Sequence, residues 1–500
     1  MQNHEGILKA MLPAQRLEVE RPDRMEEACG VFAVLAGEQP VANLAYFGLY
    51  ALQHRGQESA GIAVFNAGNV RLHKDMGLVS QVFDQDVLAR MPGDLAIGHN
   101  RYSTTGSSRV CNAQPVVLMT RLGAFALAHN GNLVNVAELR QLVDDGQAEF
   151  TSTTDSELIA FALQQAVDRG LDWPEAIRAA LELCKGAFSL VIGTPDGLFA
   201  VRDGHGIRPL VFGQLGEPDS GHWVVSSETC GLEIIGASYT DDVQPGELVH
   251  FQLGVDEPSR VQWSDEPNRL CVFEMIYFAR PDSRFFGESL YSYRQRIGQT
   301  LARESAVDAD LVIGVPDSGI PAAIGFSQVS GIPYADGLIK NRYVGRTFIQ
   351  PTQAMREAGI RVKLNPLPDV LSGKRIVVID DSIVRGTTSR KLVVALREAG
   401  ATEVHMRISS PPVTHPCFYG IDTDTQDQLI AAQLTLEEIE AQLKVDSLAY
   451  LTKEGMVEAA RAESGHFCTA CFDGQYPIAM DQNLLASKLM KEPAGIAGRL

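Results

Sequence analysis

The chain has 500 residues, enough for two large domains, and its 45% hydrophobic and 21% charged residues exclude extensive disorder. With 43 Lys and Arg against 62 Asp and Glu, its net charge of −19 argues against nucleic-acid binding, because phosphate backbones attract dense positive charge. No segment approaches the ~20 apolar residues of a membrane span, and residues 1–28 lack the apolar core of a secretory signal. We therefore expect a cytoplasmic protein with neither a nucleic-acid nor a membrane partner.

Short apolar runs separated by glycine-rich turns predict a β-sheet architecture in the first half of the chain. Two helices are predicted there, one over residues 43–52 and one from Thr154, where Thr154 and Glu157 form a capping-box pattern. Segment 254–268 contains two prolines and mixed charge between apolar runs, so we expect the first domain to end near residue 260. The predicted strands cover residues 31–35, 95–98, 124–128, 188–192 and 223–226.

After this boundary the pattern changes to alternating strands, loops and helices. Such units indicate a parallel sheet whose ligands bind beyond the carboxyl ends of its strands. We expect this second domain over residues 261–476, followed by a tail over residues 477–500. The predicted elements are strands 311–315 and 375–379 and helices 322–329, 390–399 and 429–462.

Four polar segments in the first half follow apolar runs, where their side chains can converge on one pocket. Taken singly, each is typical of a turn or a helix cap, and a thiol before an apolar strand, such as Cys29, is by default a small core residue. Taken together, they resemble the glutamine amidotransferase domain of the N-terminal-nucleophile (Ntn) hydrolases, which implies an αββα sandwich. The resemblance covers residues 29–251, and the polar segments are 53–58, 99–104, 129–132 and 154–157.

This resemblance makes Cys29 the nucleophile and the first residue of the mature chain, so that residues 1–28 are a propeptide. A free α-amino group, with a pKa of about 7.7–8.0, can serve as the base beside its own thiol. The thiolate then attacks the glutamine amide and forms a thioester. The further site residues implied are Asn130 and Gly131 for the oxyanion, Arg101 for the glutamine α-carboxylate, Asp155 for its α-ammonium group, Thr104 nearby, and Arg55, which supports the site or guards its entrance.

The most specific segment is 376–389, Ile-Val-Val-Ile-Asp-Asp-Ser-Ile-Val-Arg-Gly-Thr-Thr-Ser. Its strand ends in Asp380 and Asp381, whose carboxylates can hold ribose hydroxyls and Mg²⁺. The next loop opens a helix, and its N–H groups, hydroxyls and glycine can bind phosphate. The plain alternative is a strand, an acidic turn and a capped helix, but the segment resembles the PRPP-binding motif of type I phosphoribosyltransferases, an α/β fold. The residues of the phosphate loop are Arg385, Gly386, Thr387 and Thr388.

Two further segments accompany this motif. Loop 315–319 follows another predicted strand and would face the pyrophosphate of PRPP, and the family resemblance makes Ser318 a further Mg²⁺ contact. Segment 340–351 is basic within an acidic protein. It is either an ordinary exposed loop or, as we prefer, a flap that closes over PRPP and excludes water. The flap residues that would reach the leaving pyrophosphate are Lys340, Arg342 and Arg346.

A PRPP pocket downstream of a glutaminase domain resembles the glutamine phosphoribosylpyrophosphate amidotransferase family over residues 29–476. The resemblance implies that glutamine, PRPP and water give 5-phosphoribosylamine, glutamate and pyrophosphate, the first step of de novo purine synthesis. It also implies feedback by purine nucleotides and a homotetramer. A PRPP-sensing regulator is the alternative, but it explains only the second half. Amidotransferases that make amino sugars or asparagine need a different downstream domain.

The eight cysteines are too few for a disulfide scaffold, so their positions matter individually. Cys468 and Cys471 form a C-x-x-C pair in the predicted loop 465–473, and with Cys271 and Cys417 they can make a Cys₄ site. Such a set suits zinc or an iron–sulfur cluster, and the spacing does not choose between them. The family resemblance implies a 4Fe-4S cluster with a structural role. The cysteines for which we expect only packing are Cys111, Cys184 and Cys230.

Overall fold

A computed structural model describes residues 29–102, 109–144, 149–217, 220–341, 364–421, 423, 425–461, 466–490 and 496. The predicted propeptide and three predicted site residues, Thr104, Arg342 and Arg346, lie outside the described residues. The described chain divides into an N-terminal half, up to residue 262, and a C-terminal half, from residue 270.

The N-terminal half contains two antiparallel sheets. One has the strand order β11-β9-β10-β1-β4-β2-β3, and the other has the order β13-β12-β8-β7-β6-β5. The strands are β1 (Gly30–Leu35), β2 (Ser59–Asn66), β3 (Asn69–Met76), β4 (Leu95–Arg101), β5 (Val116–Thr120), β6 (Gly123–Leu133), β7 (Gly186–Thr194), β8 (Gly197–Arg202), β9 (Val211–Leu215), β10 (Trp223–Ser226), β11 (Ala237–Asp242), β12 (Glu247–Phe251) and β13 (Ser259–Gln262).

Helices cover the outer face of each sheet, and small aliphatic side chains such as Ala33, Ala63 and Ala126 let the inner faces pack closely. The layers are therefore helix, sheet, sheet and helix, which confirms the predicted αββα sandwich. The helices are α1 (Val41–Ala51), α2 (Val79–Val82), α3 (Gln85–Ala89), α4 (Val136–Val143), α5 (Asp155–Asp168), α6 (Trp173–Leu181) and α7 (Thr229–Glu233), with a 3₁₀ turn at Val110–Asn112.

The C-terminal half is built on a four-stranded parallel sheet of order β17-β20-β21-β22, as the α/β interpretation predicted. Its strands are β17 (Leu311–Gly314), β20 (Arg375–Asp380), β21 (Glu403–Ile408) and β22 (Ser447–Tyr450), accompanied by the short strands β14 (Leu270–Cys271), β15 (Arg284–Phe285), β16 (Glu288–Ser289), β18 (Leu338–Lys340), β19 (Leu364–Pro366) and β23 (Phe467–Cys468). Its helices are α8 (Leu290–Glu304), α9 (Gly319–Ser330), α10 (Pro368–Leu371), α11 (Thr387–Glu398), α12 (Ile430–Gln433), α13 (Leu436–Leu443), α14 (Lys453–Ala459), α15 (Ala470–Asp473) and α16 (Gln482–Lys488), with a π-helical turn at Glu274–Phe278 and a 3₁₀ turn at Gln426–Gln428.

Several local predictions differ from the structure; helix α9, for example, begins at Gly319 and not at residue 322. Residues 429–462 are not continuously helical, because β22 adds a fourth strand beside β21. Helix α11 begins at Thr387, three residues before the predicted start. The predicted capping box at Thr154 is wrong, because the Glu157 carboxylate instead accepts hydrogen bonds from the backbone and hydroxyl groups of Thr151 and Ser152. Four donors in the preceding loop outcompete the single N–H group of the cap.

Helices α8 and α9 pack at unusually close range. A Cβ atom on Gly298 would lie 1.9 Å from the carbonyl oxygen of Ala322, and one on Gly325 would lie 2.0 Å from that of Gln295. Both positions therefore need glycine, because the backbones touch there. Since α9 begins directly after Ser318, this contact also positions the loop that carries a predicted site residue.

We predict that Gly325→Ala destabilises the protein by about 1–3 kcal/mol, because the added methyl group overpacks the α8–α9 contact. The sign of this change in stability is diagnostic, because alanine is otherwise favoured over glycine in a helix interior by about 1 kcal/mol. Chemical denaturation measures the effect. Val329→Ala, at an exposed position of the same helix, is the matched control and should change stability little. Equal stabilities of Gly325→Ala and the native chain would contradict the packing argument.

Candidate functional site

Cys29 lies directly before β1, and strand pairing brings it beside the end of β4, because Gly30 is in register with Asn100. Its thiol donates to the carbonyl oxygen of Tyr102 over 3.6 Å. Burial raises the pKa of the Cys29 thiol to about 12, although the Arg101 guanidinium opposes the rise. With its nitrogen in a peptide bond, Cys29 is therefore a protonated thiol at neutral pH.

Strand β6 carries an N–H group that points to the open side of the sheet. The pairing of β5 with β6 ends at Leu127, so beyond that residue β7 is the only neighbour of β6 among the described strands. The N–H group of His129 donates to the Gln114 side chain over 2.8 Å, and that of Leu133 donates to Asp155 over 2.9 Å. Because alternate N–H groups of a strand share one direction, that of Gly131 points to the same side.

The side-chain amide of Asn130 is buried, and neither its nitrogen nor its oxygen has a hydrogen-bond partner among the described residues. A buried amide without a partner is costly, so such a group requires a reason. The next residue must be glycine, because a Cβ atom on Gly131 would lie 2.0 Å from the carbonyl oxygen of Ala187 and its φ is +148°. The side chain of Asn130 and the N–H group of Gly131 are thus two adjacent candidate donors.

Opposite charges lie close to the thiol. Arg101 ends β4 and donates to Glu58 over 2.8 Å, while Asp155 opens α5. Burial alone favours the neutral acid, but His129 and backbone N–H groups lower the pKa of Asp155 below its usual value. The Arg101 guanidinium lowers the pKa of the Cys29 thiol and the Asp155 carboxylate raises it, so both charges lie near the thiol. One cation and one anion beside a thiol match the two charges of a free amino acid.

The structure contains a buried ionic group that sequence reasoning missed. We call Arg55, Arg208, Glu228 and Glu274 the junction cluster, because the first three belong to the N-terminal half and Glu274 belongs to the C-terminal half. Arg55 donates to Glu228 over 2.6 Å and to Glu274 over 2.7 Å, and its Nε donates to the carbonyl oxygen of Cys29 over 3.2 Å. At 1% exposure, Arg55 lies buried beside the backbone of Cys29, which favours the alternative that it supports the site.

The predicted PRPP motif lies at the carboxyl end of the parallel sheet. β20 ends at Asp380, and Asp380 and Asp381 are both buried. The neighbouring strand β17 leads to Ser318, whose hydroxyl donates to Asp381 over 2.5 Å. These three side chains offer only oxygen donors, which is the ligand type that Mg²⁺ prefers. The adjacent positions are Arg385, half-buried, Gly386, in the left-handed conformation at the start of α11, and Thr387 and Thr388 in its first turn.

Of the flap residues predicted to reach the pyrophosphate, Lys340 lies in the part of the chain that the structure describes. It lies at the end of β18, and its ammonium group donates to Asp317 over 2.6 Å. This contact brings the amine to the loop that also carries Ser318.

The four predicted ligand cysteines converge from three segments. Cys271 and Cys468 are in register across the parallel strands β14 and β23. The carbonyl oxygen of Cys471 accepts from the N–H groups of Thr414 and His415, which draws in the loop that carries Cys417. Burial raises the pKa of the Cys471 thiol, and the other three thiols raise it further, so all four lie close together. In the described part of the chain, no three His, Cys, Asp or Glu side chains are arranged to hold a single metal ion.

The three remaining cysteines lie away from this group. Cys111 is exposed and Cys184 half-buried, while Cys230 is buried 3.7 Å from Glu228.

Known proteins resemble the chain over almost its whole length. Residues 99–233 match a family of glutamine amidotransferase domains. Proteins named amidophosphoribosyltransferase from Synechococcus elongatus and a Synechocystis species are 68% and 66% identical, over 95% and 96% of this chain and 96% of each relative. The solved structure of glutamine PRPP amidotransferase from B. subtilis, complexed with ADP and GMP, matches with a TM-score of 0.84 at 44% identity, covering 91% of this chain and 98% of that one. The chain belongs to the amidophosphoribosyltransferase family.

As an amidophosphoribosyltransferase, the enzyme is a glutamine-dependent glycosyltransferase that catalyses the first step of purine biosynthesis, which confirms the predicted activity. The Ntn and phosphoribosyltransferase folds are confirmed as well. The relatives match both halves, whereas a PRPP-sensing regulator would account for only one. None of the helices in the described ranges combines the length and the hydrophobicity that crossing a membrane requires.

We predict that Glu228→Gln destabilises the amidophosphoribosyltransferase by about 3–5 kcal/mol at pH 7, because it removes one charge from a buried ionic group. Burial favours the neutral acid, but His54, Arg55 and Ser283 hold the pKa of Glu228 well below its usual value. The carboxylate therefore stabilises the fold above pH ~4.3, and this contribution is lost as the pH falls towards the folded-state pKa.

Urea denaturation at a series of pH values tests this dependence, because the difference in free energy of unfolding between the native chain and the variant should decrease in acid. Glu138→Gln is the matched control, because Glu138 forms an exposed pair with Lys185 and should matter little. If this difference in free energy of unfolding did not change with pH, Glu228 would act through packing rather than charge.

Proposed function

We propose that Cys29 is the nucleophile of the glutamine half-reaction and that the side chain of Asn130 and the N–H group of Gly131 hold the oxyanion. The observation that carries this assignment is the buried, unpartnered Asn130 amide beside a glycine whose N–H group faces the open side of the sheet. The thiolate attacks the amide carbon of glutamine, the C–N bond breaks and ammonia leaves, and water then releases glutamate from the thioester. One oxyanion donor is worth about 2.7–4 kcal/mol in such a reaction.

The base for this attack is proposed to be the α-amino group of Cys29 itself, freed by removal of residues 1–28. The raised pKa of the half-buried Cys29 thiol supports the need for a base next to it. A free α-amino group has a pKa of about 7.7–8.0, so an appreciable fraction of it is unprotonated near neutral pH and can take the thiol proton. A peptide nitrogen at the same position cannot do so.

Glutamine is proposed to bind with its α-carboxylate on Arg101 and its α-ammonium group on Asp155, with Thr104 beside them. The opposite charges near the thiol support this orientation, since they match the two charges of a free amino acid. Glu58 accepts from Arg101 and orients a guanidinium whose planar fork suits a carboxylate.

In the C-terminal half, Asp380 and Asp381 are proposed to bind the ribose hydroxyls of PRPP and, with Ser318, Mg²⁺. When bound, Mg²⁺ would neutralise charge on the pyrophosphate, and the all-oxygen donor set of these residues fits it. Ammonia attacks C1 of the ribose, the bond from C1 to the pyrophosphate oxygen breaks, and 5-phosphoribosylamine forms. The proposed phosphate contacts are Arg385, Gly386, Thr387 and Thr388 for the cradle, and Lys340, Arg342 and Arg346 for the leaving pyrophosphate.

Cys271, Cys417, Cys468 and Cys471 are proposed to hold a 4Fe-4S cluster. The convergence of three buried thiols and the half-buried Cys417 supports a shared ligand, and the family resemblance favours a cluster over zinc. Bound there, the cluster would act as a cross-link between three segments, because neither half-reaction moves electrons. The thiols must lose their protons to bind it.

Regulation and assembly follow the family. We propose feedback by purine nucleotides, supported by the ADP and GMP in the B. subtilis complex, and a homotetramer. The proposed units are a propeptide over residues 1–28, a glutaminase domain over 29–260, a phosphoribosyltransferase domain over 261–476 and a tail over 477–500. The need of Cys29 and the four ligand cysteines for reduced thiols favours the cytoplasm.

We predict that Cys29→Ala abolishes glutamine-dependent synthesis but retains synthesis from added ammonia, because only ammonia release needs the thiol. Asp381→Asn is the matched variant and should lose both activities, since both use PRPP. Phosphoribosylamine formation from each nitrogen source gives the measurement. Retention of glutamine use by Cys29→Ala would overturn the assignment of the nucleophile.

Iron and acid-labile sulfide analysis tests the cluster. We predict about four irons per chain in anaerobically purified protein and a large loss in Cys468→Ser. Cys184→Ser, which lies outside the group, should keep the iron. Stoichiometric zinc without sulfide would contradict the cluster and favour a tetrahedral zinc site.

A further inference from the structure

A segment of the C-terminal half forms the back wall of the strand that carries the proposed oxyanion donors. The Asn132 side chain donates to the carbonyl oxygen of Phe418 over 3.0 Å. A Cβ atom on Gly420 would lie 3.0 Å from the carbonyl carbon of Gly131 and 3.2 Å from its oxygen, so the two backbones are in contact. Gly131 therefore cannot retreat unless residues 418–420 move with it.

Arg208 holds this segment in place. Its side chain is fully buried, and its Nε and Nη2 both donate to the carbonyl oxygen of Tyr419, over 3.1 and 2.9 Å. Its own carbonyl oxygen accepts from the Ser189 hydroxyl over 3.0 Å, and Ser189 is in register with Asn130 across β6 and β7. Arg208 thus contacts both Tyr419 and Ser189, which belong to the two segments packed against the strand of the proposed oxyanion donors.

The other edge of the Arg208 guanidinium is connected to the backbone of Cys29 through hydrogen bonds. Nη1 of Arg208 donates to Glu274 over 3.0 Å, Glu274 accepts from Arg55 over 2.7 Å, and Arg55 donates to the carbonyl oxygen of Cys29 over 3.2 Å. One side chain therefore connects the backbone of the nucleophile to the backbone of the oxyanion donors. Both connections pass through residues of the C-terminal half, Glu274 and Tyr419.

We propose that Arg208 is a positioning residue for the glutamine half-reaction, and that through it the C-terminal half sets the spacing between the Cys29 thiol and the oxyanion donors. The proposal rests on the roles proposed above for Cys29, Asn130 and Gly131. Oxyanion donors act only when they are placed beforehand at hydrogen-bond distance from the developing charge. A misplacement of about 1 Å costs about 10²-fold in rate, so the geometry of this support matters to catalysis.

The test is Arg208→Lys in the full chain, because lysine keeps the charge but cannot contact Tyr419 and Glu274 with a planar fork. We expect kcat for glutamine-dependent synthesis to fall about 10²-fold, with KM for glutamine and ammonia-dependent synthesis nearly unchanged. Gly420→Ala tests the contact between residues 418–420 and the oxyanion strand directly, because its methyl group would press on Gly131. It should produce the same selective loss, so the proposal stays testable if Arg208→Lys fails to fold.

Arg407→Lys is the matched control. Arg407 is also buried and donates to carbonyl oxygens, those of Ser305 and Met406, but it contacts neither Glu274 nor residues 418–420. It should lower stability and leave the ratio of glutamine-dependent to ammonia-dependent synthesis unchanged. A similar fall of both activities in Arg208→Lys and Gly420→Ala, or an unchanged ratio, would overturn the proposal and leave a purely structural role.

Cys29→Ala, assayed in parallel, distinguishes the two levels of inference. If it still uses glutamine, the proposed nucleophile is wrong, and the role of Arg208 falls with it. If it fails to use glutamine while Arg208→Lys and Gly420→Ala use it normally, only the positioning role is wrong.

Discussion

The junction cluster is the interaction on which the relation between the two halves depends. Two guanidinium groups and two carboxylates are buried together, so the group is neutral as a whole but expensive to open. Burial alone would lower the pKa of Arg55, yet Glu274 and Glu228 raise it above its ordinary value. Separating the halves would leave Arg55 and Arg208 without Glu274 in a buried environment. The halves therefore behave as one unit and not as two domains on a linker.

This rigidity has a consequence for a reaction split between two sites, because ammonia released at one must reach the other before it is protonated or lost. Arg294 lies near both the PRPP motif and the junction cluster. Burial lowers its pKa to about 10, and Asp381 and Glu228 both oppose that fall, so a PRPP-motif carboxylate and a junction carboxylate both lie near its guanidinium. Arg294 donates to the carbonyl oxygens of Met275, within the π-helical turn, and of Ala279, directly after it. Arg294, which lies near the PRPP motif, thus holds the turn that carries Glu274.

The sequence predicts those parts of the site whose chemistry is contiguous. Asp380 and Asp381 follow a strand and precede a helix, so the motif and its location can both be predicted from one segment. The glutamine site needed four separated segments and the family resemblance, because no single one excludes an ordinary turn. The junction cluster could not be predicted, since the partners of Arg55 are 173 and 219 positions away and a lone buried acid has no periodic signal. Strand β22 was missed because its four residues, Ser-Leu-Ala-Tyr, belong to a short apolar run that periodicity alone does not distinguish from a helix segment.

The location of the four cysteines becomes intelligible from the same junction. Cys271 precedes the turn that carries Glu274, and Cys417 precedes residues 418–420, of which Gly420 contacts Gly131. Linking these positions to Cys468 would close a loop of 197 positions from Cys271 and one of 51 positions from Cys417, and loop-closure entropy favours a cross-link more strongly as the loop lengthens. Such a cross-link would restrain the two segments through which the C-terminal half supports the glutamine site. A cluster without redox chemistry is therefore reasonable at this position, because it would stabilise the geometry on which ammonia release depends.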